Sequence, residues 1–382
     1  MIKGIKFSGI ASGIKPSGLD LGLVLFQEKT HVLSLYTSNR VKAAHILYDR
    51  KYEGDPVRAL VVNSGCANAC TGKEGIADLE VIGEKLAKLL KIGRTEVLFA
   101  STGVIGKRLP VDTIKSALPV AVKSLREGHA EDFAKAIITT DTHHKLVKET
   151  FKGKKDYSII GVAKGSGMLN PNFATMLAFV FTDYPIAPDA IRAAFRQAVT
   201  ESFEKITVDG ECSTNDTVML FTRRGEQDLS ALGEFKAKLR SVLKDLAIML
   251  IRDGEGATKV AHIMIKGARK KETAEKIARR IAISPLVKTA FFGSDPNWGR
   301  IICAAGDAGV PVEPAKVDIT LQDQEIVKAG VELPFDEEKM KRMMNKNEIA
   351  VVVNLNEGKA VFDIYTTDLT FDYVKINASY RS

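Results

Sequence analysis

Ala163-Lys164-Gly165-Ser166-Gly167-Met168-Leu169-Asn170-Pro171-Asn172-Phe173-Ala174-Thr175-Met176-Leu177 is the stretch on which the reading of this chain turns. A β-like run, Tyr157 to Val162, leads into it, and Thr175 opens a second apolar run that continues to Thr182. Between the two lies a loop punctuated by two glycines and a proline. Outward from this pair, further β-like runs lie at Ala59 to Val62, Val97 to Ala100, Val218 to Thr222, Val260 to Ile265, Ile349 to Leu355 and Val361 to Tyr365. Helical periodicity marks Asp78 to Lys91 (with Gly93 as its stop), Pro188 to Phe203, Leu229 to Ile251 and Lys271 to Ile283. Several strands follow one another without an intervening helix. That pattern predicts an α/β chain built as a layered α+β sandwich with mixed sheets, not a regularly wound parallel sheet.

The 382 residues are 45% hydrophobic and 27% charged, an ordinary composition for a folded chain with a sizeable core. The longest apolar stretches, such as Leu177 to Phe181, fall far short of the ~20 residues of a membrane span. Met1-Ile2-Lys3-Gly4-Ile5-Lys6 contains no signal-peptide core, so the expectation is a cytoplasmic protein without membrane contact. The formal charge of +8 raises the question of nucleic acid. The basic residues, however, alternate with acidic ones on helix-like segments. The densest cluster, Arg269-Lys270-Lys271 with Lys276, Arg279 and Arg280, reads as a solvated helix face. Anionic small molecules, carboxylates included, fit the charge equally well. Cys66, Cys70, Cys212 and Cys303 make no disulfide framework. Cys66 and Cys70 are four apart, but no second Cys/His pair follows at ligand spacing and His143-His144 is only a doublet, so no metal is expected.

Three glycine-bearing segments follow strand-like runs, where ligands usually meet an α/β sheet: Asn63 to Asn68, Ser101 to Gly106 and Lys164 to Gly167. None is a dinucleotide or P-loop fingerprint, since Gly103-Val104-Ile105-Gly106-Lys107 lacks the glycine spacing and the hydroxyl residue after its lysine. No bound cofactor is expected. There is also no Gly-x-Ser-x-Gly elbow and no histidine placed for a serine. A hydroxyl needs a base, and one solution requires no histidine. Cleaving the chain before Thr175 frees an α-amine whose reference pKa, near 7.7–8, lies close to working pH. Ala174 is small, which suits an N-to-O acyl shift at that bond. A threonine at the start of a strand is also ordinary β propensity.

The segment Ala163 to Leu177 resembles the signature of the ornithine acetyltransferase (glutamate N-acetyltransferase) family of arginine biosynthesis. The likeness extends to Asn63 to Gly72, Ala100 to Gly106, Ile138 to Thr142, Ile206 to Gly210, Ser213 to Asp216, Asp253 to Lys259, Asp295 to Arg300 and Asn377 to Ser382, in the family's order and spacing. It departs at Cys66, Glu204 and Cys212, where the family more often has Asn, Asn and Thr. The resemblance implies self-cleavage at Ala174–Thr175, giving an alpha chain of residues 1–174 and a beta chain of residues 175–382 that starts with the nucleophile. It implies transfer of the acetyl group of N-acetylornithine to glutamate through an ester on Thr175. It further implies that Thr102 and Gly103 form the oxyanion hole, and that Lys164 pairs with the α-carboxylate common to both substrates. By the same resemblance Glu255 takes the ornithine amine, while Thr139, Asn377 and Ser382 contact substrate; which threonine of 139–142 faces the site stays open. A heterotetramer of two alpha and two beta chains is also implied. Asp209 and Asp295 are read as structural and Trp298 as packing.

Three alternatives carry distinct signatures. An enzyme that also uses acetyl-CoA as co-substrate acetylates glutamate without acetylornithine. An aminopeptidase of related self-cleaving architecture passes the acyl group to water. A basic RNA- or nucleotide-binding protein shows steeply salt-dependent binding that Thr175 does not affect.

Overall fold

The structure, a computed structural model, describes residues 2–170 and 176–379. It divides into two compact units, the first formed by residues up to 204 with 211–250, the second by 205–210 with residues from 251 onward.

The first unit is organised on a nine-stranded mixed sheet. Its strands are β1 (Ile5–Ile10), β2 (Leu21–Tyr36), β3 (Val57–Cys66), β4 (Val97–Val104), the two-residue β5 (Arg126–Glu127), β6 (Lys145–Lys152), β7 (Asp156–Lys164) and β8 (Leu177–Pro185), followed, after β9 (Ile206–Thr207) of the other sheet, by β10 (Thr217–Arg223). The order β4-β3-β2-β10-β8-β7-β6 places β8 parallel to β10 and antiparallel to β7, while β3 and β4 are parallel. β8 reads Leu-Ala-Phe-Val-Phe-Thr without alternation because both of its faces are buried, as a central strand requires. On one face, Phe181 stacks on Phe221 at 5.2 Å between centroids, and Phe26, Phe7 and Phe133 close the cluster. The other core packs Leu23, Val61 and Phe99 against helices Gly72–Leu90 and Val111–Lys123.

The second unit is a seven-stranded mixed sheet, ordered β14-β13-β12-β15-β11-β16-β9. Its strands are β11 (Val260–Ala268), β12 (Asp318–Leu321), β13 (Gln324–Lys328), β14 (Val331–Glu332), β15 (Glu348–Asn354) and β16 (Ala360–Thr367). Ile263, Ile265, Val351, Val353 and Ile364 project from alternate positions onto helix Lys271–Ala282, whose Ile277 and Ile281 meet them in a buried apolar core. The expected layered α/β class with mixed sheets is therefore the observed one.

Two sequence expectations change. Helix Gly72–Leu90 does not end at Gly93; Lys91 terminates it in the left-handed region at φ 56°. The segments at 63–66 and 101–104 are not turns after strands but the paired ends of β3 and β4 themselves. Among the described residues no helix is long and apolar enough to cross a membrane.

Candidate active site

The ends of β3 and β4 build the first feature of the site. Gly65 faces Gly103 across the parallel ladder, and the register slips at Cys66. Gly103 sits at φ 128°, a backbone state that side chains disfavour. A Cβ there would lie 2.3 Å from the carbonyl carbon of Gly65. The two chains thus approach too closely for any residue but glycine, which leaves the Thr102–Gly103 backbone bulged at the end of its strand. Asn215 holds this arrangement from outside the ladder: its Nδ2 donates to Ser101 O and to Ala67 O, both at 2.7 Å.

Lys164, the last residue of β7, brings three of the expected residues together. Its buried Nζ donates to Thr102 Oγ1 at 3.1 Å and to Thr139 Oγ1 at 2.9 Å. A hydroxyl that accepts from an ammonium is polarised as a donor, so the Thr102 proton is primed to be given to an anion. Asp141 stands behind this group. Its carboxylate is 3.9 Å from Lys164 Nζ and 2.5 Å from the fully buried Lys145 Nζ, and it accepts from the backbone N–H of Gly165 and Thr139. Burial alone would raise the Asp141 pKa, but Lys164, Lys145 and the Gly165 N–H hold it at about 2. The turn 139–142 is therefore anchored by an ionised aspartate, and Thr139 is the member of that turn whose hydroxyl meets Lys164.

Removing that charge strands two buried lysines. Asp141→Asn is expected to destabilise the fold by about 3–5 kcal/mol, since an unpaired buried charge remains. Urea denaturation near neutral pH checks this. The carboxyl is more acidic than the unfolded reference of about 3.9, so its stabilisation is complete above pH ~4 and lost as pH falls through ~2. The wild-type stability curve should show that acid loss and the Asp141→Asn variant should not.

A second ammonium reaches the same turn. Asp20 accepts from the backbone N–H groups of Ser12, Gly13, Ile14 and Lys15 at 2.6–3.1 Å, fixing a tight loop. From that loop the half-buried Lys15 sends Nζ to Ile138 O at 3.0 Å, one residue before Thr139. Burial lowers the Lys15 pKa; Asp20 and Asp141 oppose this shift and Lys164 adds to it. Sequence reasoning passed over Lys15. The signal available was a lysine in a short loop closed by a buried aspartate five residues later.

At the start of β8, Asp216 is buried and accepts the Met176 N–H at 3.0 Å on Oδ1. Thr217 N returns a bond to Met176 O at 3.1 Å. Burial pushes the Asp216 carboxyl well above the carboxylate range, with Cys212 adding to it and the Met176 N–H, Thr37 and Lys164 opposing. The backbone of Met176 is thus held on both sides, by Asp216 and Thr217.

In the second unit, Glu255 and Asn377 meet. Asn377 Nδ2 donates to Glu255 Oε2 at 2.9 Å from helix Phe371–Ser379. Gly256 makes the approach: at φ 63°, a Cβ on it would lie 2.5 Å from Tyr373 N. Asn377 is therefore placed by a helix packed on the Gly-Glu-Gly turn. Asp209 contributes to the charge around the buried Lys288, whose Nζ donates to Val208 O and Thr367 O. Asp295 accepts from Asn297, and Trp298 packs on the second core with its ring N–H on Glu332. Of the remaining expected residues, Ala174, Thr175 and Ser382 lie outside the described residues. Thr102, Gly103, Thr139 and Lys164 come together in the first unit, and Glu255 with Asn377 in the second.

The chain matches known proteins over its whole length. The model of the ArgJ family matches residues 6–382. The arginine biosynthesis bifunctional protein ArgJ of Desulfotalea psychrophila is 43% identical over 391 residues, covering 100% of both chains. The protein of the same name from Geobacter sulfurreducens is likewise 43% identical over 391 residues, with 100% of both covered. Among solved structures, the arginine biosynthesis bifunctional protein ArgJ of Bacillus halodurans superposes with a TM-score of 0.49 and 36% identity over 53% of this chain and 98% of that one.

Proposed function

The chain belongs to the ArgJ family, and from that premise we propose that it is a glutamate N-acetyltransferase of arginine biosynthesis that carries the acetyl group on Thr175. The observation that supports this best is the convergence of Lys164, Thr102 and Thr139 beside the Gly103 bulge, a cationic and donor-rich corner at the end of the strand that precedes Thr175 in the chain.

Thr175 Oγ first attacks the Ala174 carbonyl, the C–N bond breaks, and water hydrolyses the resulting ester to release residues 1–174. The freed α-amine then takes the Thr175 hydroxyl proton as Oγ attacks the acetyl carbonyl of N-acetylornithine. Thr102 Oγ1–H and the Gly103 N–H stabilise the oxyanion, the acetyl C–N bond breaks, and ornithine leaves with the proton. Glutamate's α-amine attacks the ester carbonyl, the C–O bond breaks and the proton returns to Oγ. Lys164 and Thr139 hold the α-carboxylate in both halves; the family resemblance assigns the donor's side chain to Glu255, Asn377 and Ser382. Burial pushes the Asp216 carboxyl upward, which suits this scheme, because less negative charge beside Met176 favours the unprotonated amine that acts as base.

The steps use no metal and no bound cofactor. The chains 1–174 and 175–382 would assemble as a heterotetramer in the cytoplasm. Cleavage before Thr175 would leave β7 on one chain and β8 on the other, still paired in one sheet from Ile159↔Thr182 to Lys164↔Leu177. The name bifunctional, borne by the relatives, supports acetyl-CoA as a second donor. Product analysis decides among these. Sustained ornithine release beyond one equivalent per site that requires glutamate, with N-acetylglutamate formed in step with it, is the expected result. Free acetate formed at the same rate without glutamate would mean water is the acceptor and would overturn the transfer. N-Acetylglutamate from acetyl-CoA alone would add the second activity.

A further inference from the structure

We propose that Lys15 is a specificity-determining contact for the acceptor, taking the side-chain carboxylate of glutamate. The proposal rests on the function stated above and assigns the part of recognition that Lys164 leaves open.

Donor and acceptor present the same α-carboxylate but opposite side chains, an ammonium in ornithine and a carboxylate in glutamate. A single cation cannot tell them apart. The corner around Thr102 and Thr139 contains more positive charge than the common carboxylate needs. Lys15, Lys145 and Lys164 stand against Asp20 and Asp141, and Asp20 spends both oxygens on the backbone N–H groups of residues 12–15. Lys145 is fully buried on Asp141 and cannot meet a ligand. Lys15 differs. It is half-buried, and among the described residues its Nζ makes one hydrogen bond, to Ile138 O. An ammonium has three donors, so two are left for a ligand.

Its position is built rather than incidental. The Asp20-closed loop fixes the Lys15 backbone, and the stem runs along Gly65, where a Cβ would lie 2.8 Å from Lys15 Cγ. Gly65 is the ladder partner of Gly103. The two ammonium groups thus grip consecutive residues, Ile138 by its carbonyl and Thr139 by its hydroxyl, and Lys15 borders the bulge on which the reaction is proposed to occur.

The test is Lys15→Met with Lys15→Arg beside it, assayed on the self-cleaved protein. In a two-step transfer, kcat/KM for acetylornithine reports the first half and kcat/KM for glutamate the second. For Lys15→Met the second should fall about tenfold or more, the loss of one charge-assisted hydrogen bond. The first should change less than about threefold, and Lys15→Arg should recover most of the loss. A parallel fall in both values, or no fall in either, overturns the proposal and leaves Lys15 as a strut for the 138–142 turn. Should Lys15→Met fail to fold or cleave, Lys15→Gln and wild type are compared on glutamate against glutamine as acceptors. The wild-type preference for glutamate should vanish in the variant, and its survival overturns the assignment. Wild-type protein that makes no N-acetylglutamate at all would instead refute the function, a separate and prior failure.

Discussion

Thr175→Ala should yield one uncut chain with no detectable transfer, at least about 10⁴-fold below wild type. The size of the effect follows from the double duty proposed for this residue. Its hydroxyl performs the cleavage that frees its own amine, and the pair then acts as nucleophile and base. Losing the hydroxyl removes both at once. Thr175→Ser keeps both groups and should cleave and retain part of the activity. Denaturing gel electrophoresis and an ornithine-release assay read the two properties separately. An uncut but fully active Thr175→Ala variant would remove Thr175 from the chemistry altogether.

Gly103→Ala is expected to lower kcat by about 10²–10³, the cost of losing one oxyanion donor. Here the cause is steric. The added Cβ would meet Gly65 C at 2.3 Å and Cys66 N at 2.5 Å, and flexible side-chain ends are not what it strikes. Backbone must move, and φ 128° adds strain for any L side chain. Relieving the clash pulls the β4 end away from β3 and carries Thr102 off Lys164. Thr102→Ala leaves the ladder alone and removes only the hydroxyl, so it should retain wild-type thermal stability more closely while losing activity. If Gly103→Ala and Thr102→Ala both turn over acetylornithine at the wild-type rate, the oxyanion is held elsewhere.

The layered mixed-sheet class was legible because its central strands are short, apolar and bounded by glycine or proline. β7, β10, β11, β15 and β16 lie where those runs predict, within a few residues. β2 escaped notice although it is the longest strand. Its alternation breaks at Gln27-Glu28-Lys29, three exposed residues at which its register against β3 also shifts. Helix Val111–Lys123 was hidden by Pro119, a residue that propensity excludes from a helix interior but that packing tolerates here. In the site, the motif residues were found by resemblance, while the contacts that hold them were not. Asp141 and Asn215 lie inside segments found by resemblance, but their partners stand 24 and as far as 148 positions away in the chain, and no local pattern encodes such a contact. Spacing could show that glycine was needed at 103, but not that the reason was a second strand.

The most direct measurement is the denaturing intact mass of the purified protein before and after brief incubation with N-acetylornithine. Two fragments should be seen, divided between Ala174 and Thr175, and the fragment beginning at Thr175 should gain one acetyl group that glutamate then removes. A single full-length mass that never gains acetyl, from protein shown to be folded, would contradict both the cleavage and the acyl-enzyme, and would remove Thr175 from the chemistry.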